Sequence, residues 1–299
     1  MNLFRRLIQP NSFLSRNGKY IIIFLNGFLL ASLVYFYIEK QYEKGLFTAM
    51  ASFVKSQVVN TPSDSQAGKE DSLLTKSVHL VHQICEYRMP VFVANNISGV
   101  KANVIAPVSV DLMTAQGACG SHAYVLARLL QEMDIETRIP QMTVEGQSAG
   151  HIIVEAKTSA GWVVMDALSD VFFRKPDGQL AGFKDVHSNW EYYKQQLPAD
   201  YNMAYRYEGV RYTNWDKVPV IMPLLKNVMY LAVGKEKTDS YSIRSLGLKK
   251  NNILFNLTLG AYLIVMLFSI NLYLKAKKKA ALTTAAPDAT VAPVPVQPI

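Results

Sequence analysis

Two long apolar runs lie near opposite ends of this chain. Residues 20–38 depart strongly from apolar character at only one asparagine and one glycine, and residues 253–274 are similar. As helices, both runs are long enough to cross a hydrocarbon core of about 30 Å. A cleaved signal peptide is the alternative for the first run, but the run exceeds a signal core of about 7 to 15 residues, and residues 39–42 offer no small-residue cleavage site. The pattern therefore predicts two transmembrane helices.

The segment between these runs shows helical periodicity and then short strands. From Cys119 onward, apolar residues recur at helical spacing, which predicts a helix that begins at or near Cys119. Those residues are Ala123, Leu126, Leu129, Leu130 and Met133. Residues 151–156 and 162–166 are β-rich, and residues 157–161 between them suit a hairpin turn. We predict that these two strands pair antiparallel.

The predicted hairpin brings a histidine and an aspartate together. If its turn is centred between residues 158 and 159, Ile152 opposes Met165 and His151 opposes Asp166. Directly opposed residues project from the same face, with their Cβ atoms about 5 Å apart. A longer loop or a bulge that shifts the register by one residue would place them on opposite faces.

The three residues together predict nucleophilic chemistry. The N-terminus of a helix carries partial positive charge, which favours the thiolate form of Cys119. His151 would accept the thiol proton, and Asp166 would hold the tautomer of the imidazole. The thiolate would attack an amide carbonyl and form a thioester acyl-enzyme, which water or an amine resolves. The Cys119 backbone N–H and the side chain of Gln116 are candidate oxyanion donors, although a turn-capping role suits Gln116 as well.

Three ordered motifs carry a resemblance to a known superfamily. They are G-x-C-x-x-x-A at residues 117–123, H-x-x-V-E at residues 151–155 and W-x-x-x-D at residues 162–166. Together they are similar to the core of the transglutaminase-like superfamily, over about residues 71–175. The resemblance implies an α+β, papain-like fold in which a Cys-bearing helix packs on an antiparallel sheet that carries His and Asp. The superfamily contains transglutaminases, cysteine peptidases and amidases.

Carried over residue by residue, the resemblance implies Cys119 as the nucleophile, His151 as the base and Asp166 as the orienting residue. Arg138 fits an Ile-x-x-Arg strand that follows the Cys helix in this superfamily. The chain has Asp134 where many members have a glycine, and an isoleucine directly after His151 where many have an aromatic residue. These departures leave the triad intact and the substrate class open.

Other interpretations of the same residues stand beside this one. An inert buried thiol is the alternative for Cys119, and superfamily members that lost activity keep the fold. His122 is predicted to be a solvated or packing residue rather than the base. His79, His82 and Cys85 share a helix face; no carboxylate completes a metal cluster there, so we prefer a helix that packs beneath the Cys119 helix. Both cysteines are predicted to be free thiols.

The net charge of +8 resides at the two ends of the chain. The terminal basic residues are Arg5, Arg6, Arg16, Lys19, Lys275, Lys277, Lys278 and Lys279. Apart from these and the lone acidic residue of the tail, basic and acidic residues nearly balance, which argues against a nucleic-acid-binding face. Lysines also flank the spans on the other side, but long loops translocate largely regardless of charge. The positive-inside rule therefore predicts cytoplasmic termini and an extracytoplasmic segment 39–252.

These patterns divide the chain into seven segments. They are a basic cytoplasmic N-terminus (1–19), a transmembrane helix (20–38), a helical stalk with a polar linker (39–70), the transglutaminase-like domain (71–217), an interfacial helix with a linker (218–252), a second transmembrane helix (253–274) and a basic, then Pro/Ala-rich disordered tail (275–299). Prolines, Lys226 and Asn227 interrupt the apolar stretch 218–233, so an interfacial helix is preferred to a third span. The aromatic residues of 184–216 are assigned to a core or a membrane-facing surface in preference to a substrate platform.

Three functions remain in competition at this level. The preferred one is a membrane-anchored, extracytoplasmic cysteine hydrolase that cleaves an amide or peptide bond. An acyltransferase that passes the acyl group to an amine uses the same residues, and a catalytically idle scaffold of a membrane assembly uses the same fold. The expected partners are a peptide or protein substrate, the lipid bilayer and a membrane-protein assembly, without nucleic acid. The chemistry requires neither a metal nor another cofactor, and regulation by calcium, known in some relatives, is left open.

Overall fold

A computed structural model describes residues 13–59, 66–88, 107–115 and 117–284. The chain divides into two compact units, one formed by the residues up to Ile38 together with those from Ile253, and the other by Glu39–Asn252. The second unit combines helices with two antiparallel sheets. The predicted α+β class is therefore confirmed.

The helices of the described residues are bounded as follows. They are α1 (Phe13–Val59), α2 (Gln66–Glu86), α3 (Val108–Thr114), α4 (Cys119–Glu132), α5 (Phe183–Ser188), α6 (Trp190–Tyr193), α7 (Ile221–Val233), α8 (Lys235–Asp239) and α9 (Lys250–Thr284), with 3-10 helices at Lys194–Gln196 and Ile243–Lys249. Helix α4 begins at Cys119, as its apolar spacing predicts. It packs against α2, α3 and strands of both sheets, so the predicted packing of the α2 helix against the Cys119 helix is also confirmed.

The strands form two small sheets. They are β1 (Thr137–Arg138), β2 (Gln141–Val144), β3 (Gln147–Ile152), β4 (Val154–Thr158), β5 (Gly161–Asp166), β6 (Val171–Phe172) and β7 (Val210–Arg211). The first sheet has the order β1-β4-β5-β6, and the second has the order β3-β2-β7. All the pairings are antiparallel.

The predicted register of the β4–β5 hairpin is wrong by two residues. Met165 pairs with Val154 rather than with Ile152, because the turn is centred one residue later, between Ser159 and Ala160. Gly161 closes this turn at φ 123°, a conformation that favours glycine. Both the N–H and the hydroxyl of Ser159 donate to the Glu70 carboxylate, which fixes the turn in that position.

The histidine of the predicted hairpin belongs to the other sheet. Strand β3 ends at Ile152 and strand β4 begins at Val154, so the predicted strand is interrupted at Ile153. His151, on β3, pairs with Met142 on β2. Asp166, at the end of β5, pairs with Val171 on β6. His151 and Asp166 are therefore not cross-strand neighbours, and any contact between them joins the two sheets.

Among the described residues, two helices are long and apolar enough to cross a membrane, α1 and α9. They contain the predicted spans 20–38 and 253–274. Within the unit formed by the residues up to Ile38 and those from Ile253, Asn26 Nδ2 donates to Ser269 Oγ at 3.1 Å. The rings of Tyr37 and Phe255 lie 6.2 Å apart. A hydrogen bond between side chains, like that of Asn26 and Ser269, is typical of helices that associate within a membrane.

The compact unit is wider than the predicted domain 71–217. Helix α1 continues to Val59, as predicted, but its second half also contributes to the main core instead of serving only as a stalk. That core includes Phe47, Val54, Leu74, Val78, Val81, Leu126, Leu129, Leu130, Val154, Ala156 and Leu248. The predicted linker at 61–65 and the tail beyond residue 284 lie outside the described residues.

Helix α7 occupies most of the stretch predicted to be interfacial. It has 13 residues, none of which is buried, and Leu231 is 91% exposed. A helix of this length rises about 20 Å, which is shorter than a hydrocarbon core. A third span through α7 is therefore not supported.

We expect Leu126→Ala to destabilise the protein. Leu126 lies in the middle of α4 and is fully buried in the main core. Removing its side chain leaves a cavity and should lower the free energy of unfolding by about 2 to 5 kcal/mol. Denaturant titration of the detergent-solubilised chain, followed by tryptophan fluorescence, measures this change. Leu246→Ala, at a side chain that is 51% exposed, is the matched control and should change it by less than about 0.5 kcal/mol.

Candidate active site

A tight, strained turn delivers Cys119 to the start of α4. Ala118, directly before it, has φ 43° and ψ −117°, and Ala115 has φ 48°. Both values lie where a Cβ makes the backbone unfavourable by about 1 to 3 kcal/mol. Such strain persists only when the surrounding contacts hold the backbone in place.

Polar contacts supply that restraint. The Gly117 N–H donates to Ser121 Oγ at 2.9 Å, and Ser121 Oγ donates to Asp111 Oδ1 at 2.8 Å. A Cβ at Gly117 would lie 2.9 Å from Ser121 Oγ, so a larger residue there would displace the hydroxyl that makes these two hydrogen bonds. The turn is also tied to His122, whose Nδ1 lies 2.8 Å from the Ala118 carbonyl oxygen.

His151 and Asp166 form a buried pair that joins the two sheets. His151 Nε2 lies 2.7 Å from Asp166 Oδ2, and both side chains are fully buried. The second carboxylate oxygen of Asp166 accepts from the Leu168 N–H at 3.0 Å. The structure thus brings together the two residues that the sequence predicted to meet, although it does so between sheets and not across a hairpin.

Electrostatics in this pair favour a charged imidazole. Burial lowers the pKa of His151, but the Asp166 carboxylate and the neighbouring Cys119 outweigh it and raise the pKa to about 9. Asp166 occupies Nε2, and Nδ1 has no hydrogen-bond partner within the described part of the chain. Nδ1 is therefore the nitrogen available to exchange a proton with the Cys119 thiol.

The pKa of the Cys119 thiol is shifted in the opposite direction, downwards. Burial raises the pKa of Cys119, but the His151 side chain and the Ile152 backbone N–H lower it by a larger amount, so the pKa lies below its ordinary value. Cys119 is partly exposed, whereas His151 is sealed from solvent. A lowered thiol pKa beside a raised imidazole pKa favours the thiolate–imidazolium form of the pair, and the Cys119 side of this pair is partly exposed.

Tyr205 covers the imidazole and was missed by the sequence analysis. Its ring stacks on His151 with centroids 4.1 Å apart and an interplanar angle of 9°. Its neighbours Tyr201 and Tyr207 are buried in a smaller apolar cluster with Phe173 and Phe183, as the preference for a core role predicted. The aromatic-rich composition of 184–216 was the only signal, and it could not single out the ring that reaches His151.

We expect Tyr205→Ala to weaken the site without abolishing it. The stacked ring fixes the plane of the imidazole, and such contacts contribute about 0.5 to 1.5 kcal/mol. Alkylation of Cys119 should therefore slow by about 2- to 10-fold, whereas Tyr205→Phe, which keeps the ring, should stay near the wild-type rate. Equal rates for the two variants would show that the stack has no positioning role.

The other residues that the sequence singled out, among them His79, His82 and His122, have neighbours of their own outside the His151–Asp166 pair. Gln116 lies outside the described residues. His122 is fully buried, and burial lowers its pKa, so it is the predicted packing residue and not a solvated one. On α2, His79 Nδ1 lies 2.7 Å from Asp170 Oδ2, and His82 Nδ1 lies 2.9 Å from the Leu168 carbonyl oxygen. No group of three metal-ligating side chains occurs within the described ranges.

The two cysteines differ sharply in their environment. Both are free thiols, but Cys85 is fully buried, and burial raises its pKa to about 12. In the folded protein Cys85 should therefore resist iodoacetamide near pH 8, where Cys119 reacts. Peptide mapping by mass spectrometry after a timed pulse measures both sites in one sample. Modification of Cys85 at a rate comparable to that of Cys119 would contradict this assignment.

Arg138 supports the sheet from behind the site. It lies on β1, as predicted, and its Nε donates to Glu155 Oε2 at 2.6 Å. Its guanidinium lies between the rings of Trp162 and Tyr212, at 4.0 Å and 4.4 Å from their centroids. Tyr212 also donates to Glu155, which completes a closed structural cluster.

The partly exposed Cys119 thiol is thus held at a helix start, and the buried His151 imidazole beside it contacts a carboxylate and a tyrosine ring. This arrangement is the one that the sequence predicts for a nucleophile, a base and an orienting group. Comparisons with protein-family models, curated proteins and solved structures find no match to this chain.

Proposed function

We propose that this protein is a membrane-anchored cysteine hydrolase with a papain-like, transglutaminase-like domain. The observation that carries the proposal is the buried His151–Asp166 pair at 2.7 Å beside a thiol whose pKa is depressed. A structural cysteine gains nothing from such a pair, because burial alone would raise its pKa, as it does at Cys85. Perturbed pairs of this kind concentrate at catalytic sites.

The first half of the reaction forms an acyl-enzyme. The Cys119 thiolate attacks the carbonyl carbon of an amide, and a C–S bond forms. When the tetrahedral intermediate collapses, the C–N bond breaks, and the proton on His151 passes to the leaving amine. Asp166 keeps the imidazole oriented during this transfer and stabilises its charged form.

The second half regenerates the thiol. His151, now neutral, takes a proton from water, and the hydroxide attacks the thioester carbonyl. The C–S bond breaks, a carboxylic acid leaves, and the proton taken from water stays on His151, which restores the Cys119–His151 pair. As the first residue of α4, Cys119 has a backbone N–H without an intrahelical acceptor, and this group suits the developing oxyanion in both halves.

The membrane topology belongs to the same proposal. Helices α1 and α9 cross the bilayer, and the basic residues at both ends of the chain keep the termini in the cytoplasm. The unit Glu39–Asn252 then faces the extracytoplasmic side. Its substrate is a peptide or protein amide on that side of the membrane.

A simple activated ester tests the acyl-enzyme directly. We expect the solubilised full-length chain to release a burst of p-nitrophenol from p-nitrophenyl acetate and to gain one acetyl group on Cys119 by intact mass. Cys85→Ala should keep the burst, and Cys119→Ala should lose it. Absence of acetylation in the wild-type chain would contradict the hydrolase and favour a catalytically idle scaffold.

The fate of the acetyl group separates hydrolysis from acyl transfer. In the presence of glycinamide, a hydrolase should release acetate as the main product. Accumulation of N-acetylglycinamide in excess of acetate, dependent on Cys119, would assign the protein to the acyltransferases instead.

A further inference from the structure

A cleft opens at the start of α4, and residues that flank Cys119 in the sequence line it. Its volume is about 360 Å³. One wall is the turn and first helical turn around Cys119, through Gly117, Gly120 and Ser121, and Ile152 continues it. A molecule that fills this cleft therefore contacts Gly120, the residue directly after Cys119 in the chain.

The opposite wall carries an arginine without an acidic partner. Arg244, in the 3-10 helix Ile243–Lys249, donates from Nη2 to Gln141 Oε1 at 2.8 Å and from Nη1 to the Tyr212 carbonyl oxygen at 3.3 Å. Both acceptors are neutral, and within the described residues Arg244 forms no ion pair with a carboxylate. This distinguishes it from Arg138, whose guanidinium is neutralised by Glu155.

The surroundings of Arg244 add positive charge. Arg211 Nη2 lies 3.4 Å from the same Gln141 oxygen, so two guanidinium groups share one amide acceptor. Lys250 also lines the cleft. The acidic residue in the cleft, Asp111, accepts from Ser121, and burial raises its pKa, which reduces its value as a counter-charge.

A half-buried cation without a counter-charge is costly, because it loses hydration and gains only neutral hydrogen bonds. A carboxylate repays that cost, since its two oxygens match the fork of a guanidinium. We propose that this cleft binds a carboxylate of the substrate next to the scissile amide. This assignment deepens the proposed hydrolase and rests on it, because the cleft matters through its position beside Cys119.

The carboxylate has two chemical sources in a peptide, an acidic side chain or a free C-terminus. Two pairs of alkylating probes separate them. N-iodoacetyl-aspartamide and N-iodoacetyl-asparaginamide differ only in a side-chain carboxylate, and N-iodoacetyl-glycine and N-iodoacetyl-glycinamide differ only in a terminal one. The rate ratio within each pair, measured on Cys119 by mass spectrometry, reports carboxylate recognition.

Each rate ratio is divided by the ratio that the same two probes give with glutathione, which corrects for their intrinsic reactivity. We expect the corrected ratio to be about 10 for at least one acidic probe, since a hydrogen bond to a charged group contributes about 1.5 kcal/mol or more. Arg244→Gln should bring this ratio close to one. Arg244→Lys should retain part of the preference. Arg174→Gln, at an exposed arginine on the surface, is the matched control and should leave the ratio unchanged.

A competition experiment keeps the proposal testable if Arg244→Gln does not fold. N-acetyl-aspartamide or N-acetyl-glycine should protect wild-type Cys119 from the neutral probe in a saturable way, and their amides should not. Ratios near one in the wild-type chain, ratios that survive in Arg244→Gln, or equal protection by inorganic phosphate would each overturn the carboxylate site. The neutral-probe rate separately reports activation of the thiol, so failure of the cleft is distinct from failure of the hydrolase.

Discussion

Replacing His151 by alanine is expected to slow the alkylation of Cys119 by iodoacetamide about 100-fold near pH 6. The reacting species is the thiolate, and an ordinary thiol with a pKa of about 8.5 is less than about 1% ionised at that pH. In the wild-type chain, His151 holds the pKa of Cys119 below its ordinary value despite burial. Without the imidazole, burial and the Asp166 carboxylate raise the pKa of Cys119, and only the Ile152 N–H lowers it. The lower intrinsic nucleophilicity of a low-pKa thiolate offsets part of the effect, but not its direction.

The measurement is the second-order rate constant at Cys119 across a pH series. His79→Ala is the matched control, because His79 also pairs with an aspartate at 2.7 Å but does so on the surface. That variant should react at the wild-type rate. A His151→Ala rate within twofold of wild type near pH 6 would sink the nucleophile–base assignment.

Asp166→Asn is expected to reduce the same reactivity by about 10- to 100-fold near pH 7. The carboxylate is the main influence that raises the pKa of His151, opposing the burial that lowers it. An amide removes that charge, so the pKa of His151 falls towards or below its ordinary value and the pair becomes neutral at this pH. The asparagine amide can also donate to Nε2, which moves the ring proton to Nδ1 and blocks proton acceptance from Cys119.

The expected signature is a shift of the whole alkylation profile to higher pH. The direction follows from the coupling of the two groups. When the pKa of His151 falls, the imidazolium loses its proton at a lower pH and no longer stabilises the thiolate, so the pKa of Cys119 rises. Asp170→Asn, which alters the exposed His79–Asp170 pair, should leave the profile in place. An unchanged profile in Asp166→Asn would show that the buried carboxylate does not set the charge of His151.

The start of the Cys119 helix could be predicted because it depends on local sequence. Apolar side chains at helical spacing require one face to be buried, and Leu126, Leu129 and Leu130 are fully buried in the structure. Strands near β4 and β5 were likewise predictable from composition, although the predicted strand 151–156 covers the end of β3 as well as the start of β4. Their register was not, because it depends on Glu70, almost ninety residues earlier, which holds the turn at Ser159.

The surroundings of the site depend on contacts that are distant in sequence. Tyr205 reaches His151 from an irregular segment, and Arg244 reaches the cleft from a 3-10 helix that follows the apolar helix α7. Neither residue carries a spacing that marks it in the sequence. The core role of Phe47 was hidden for a similar reason, because it lies on the helix that continues from an apolar span.

The most direct measurement is the ultraviolet absorbance of the Cys119 thiolate, taken as the difference between the wild-type chain and Cys119→Ala from about pH 5 to pH 8, where tyrosines stay neutral. Cys85 does not interfere, because burial keeps its thiol protonated. The thiolate–imidazolium pair predicts that the absorbance is already present near pH 6 and disappears at that pH in His151→Ala. A thiolate that emerges only as the pH approaches about 8.5, in both proteins alike, would contradict the active site proposed for this chain.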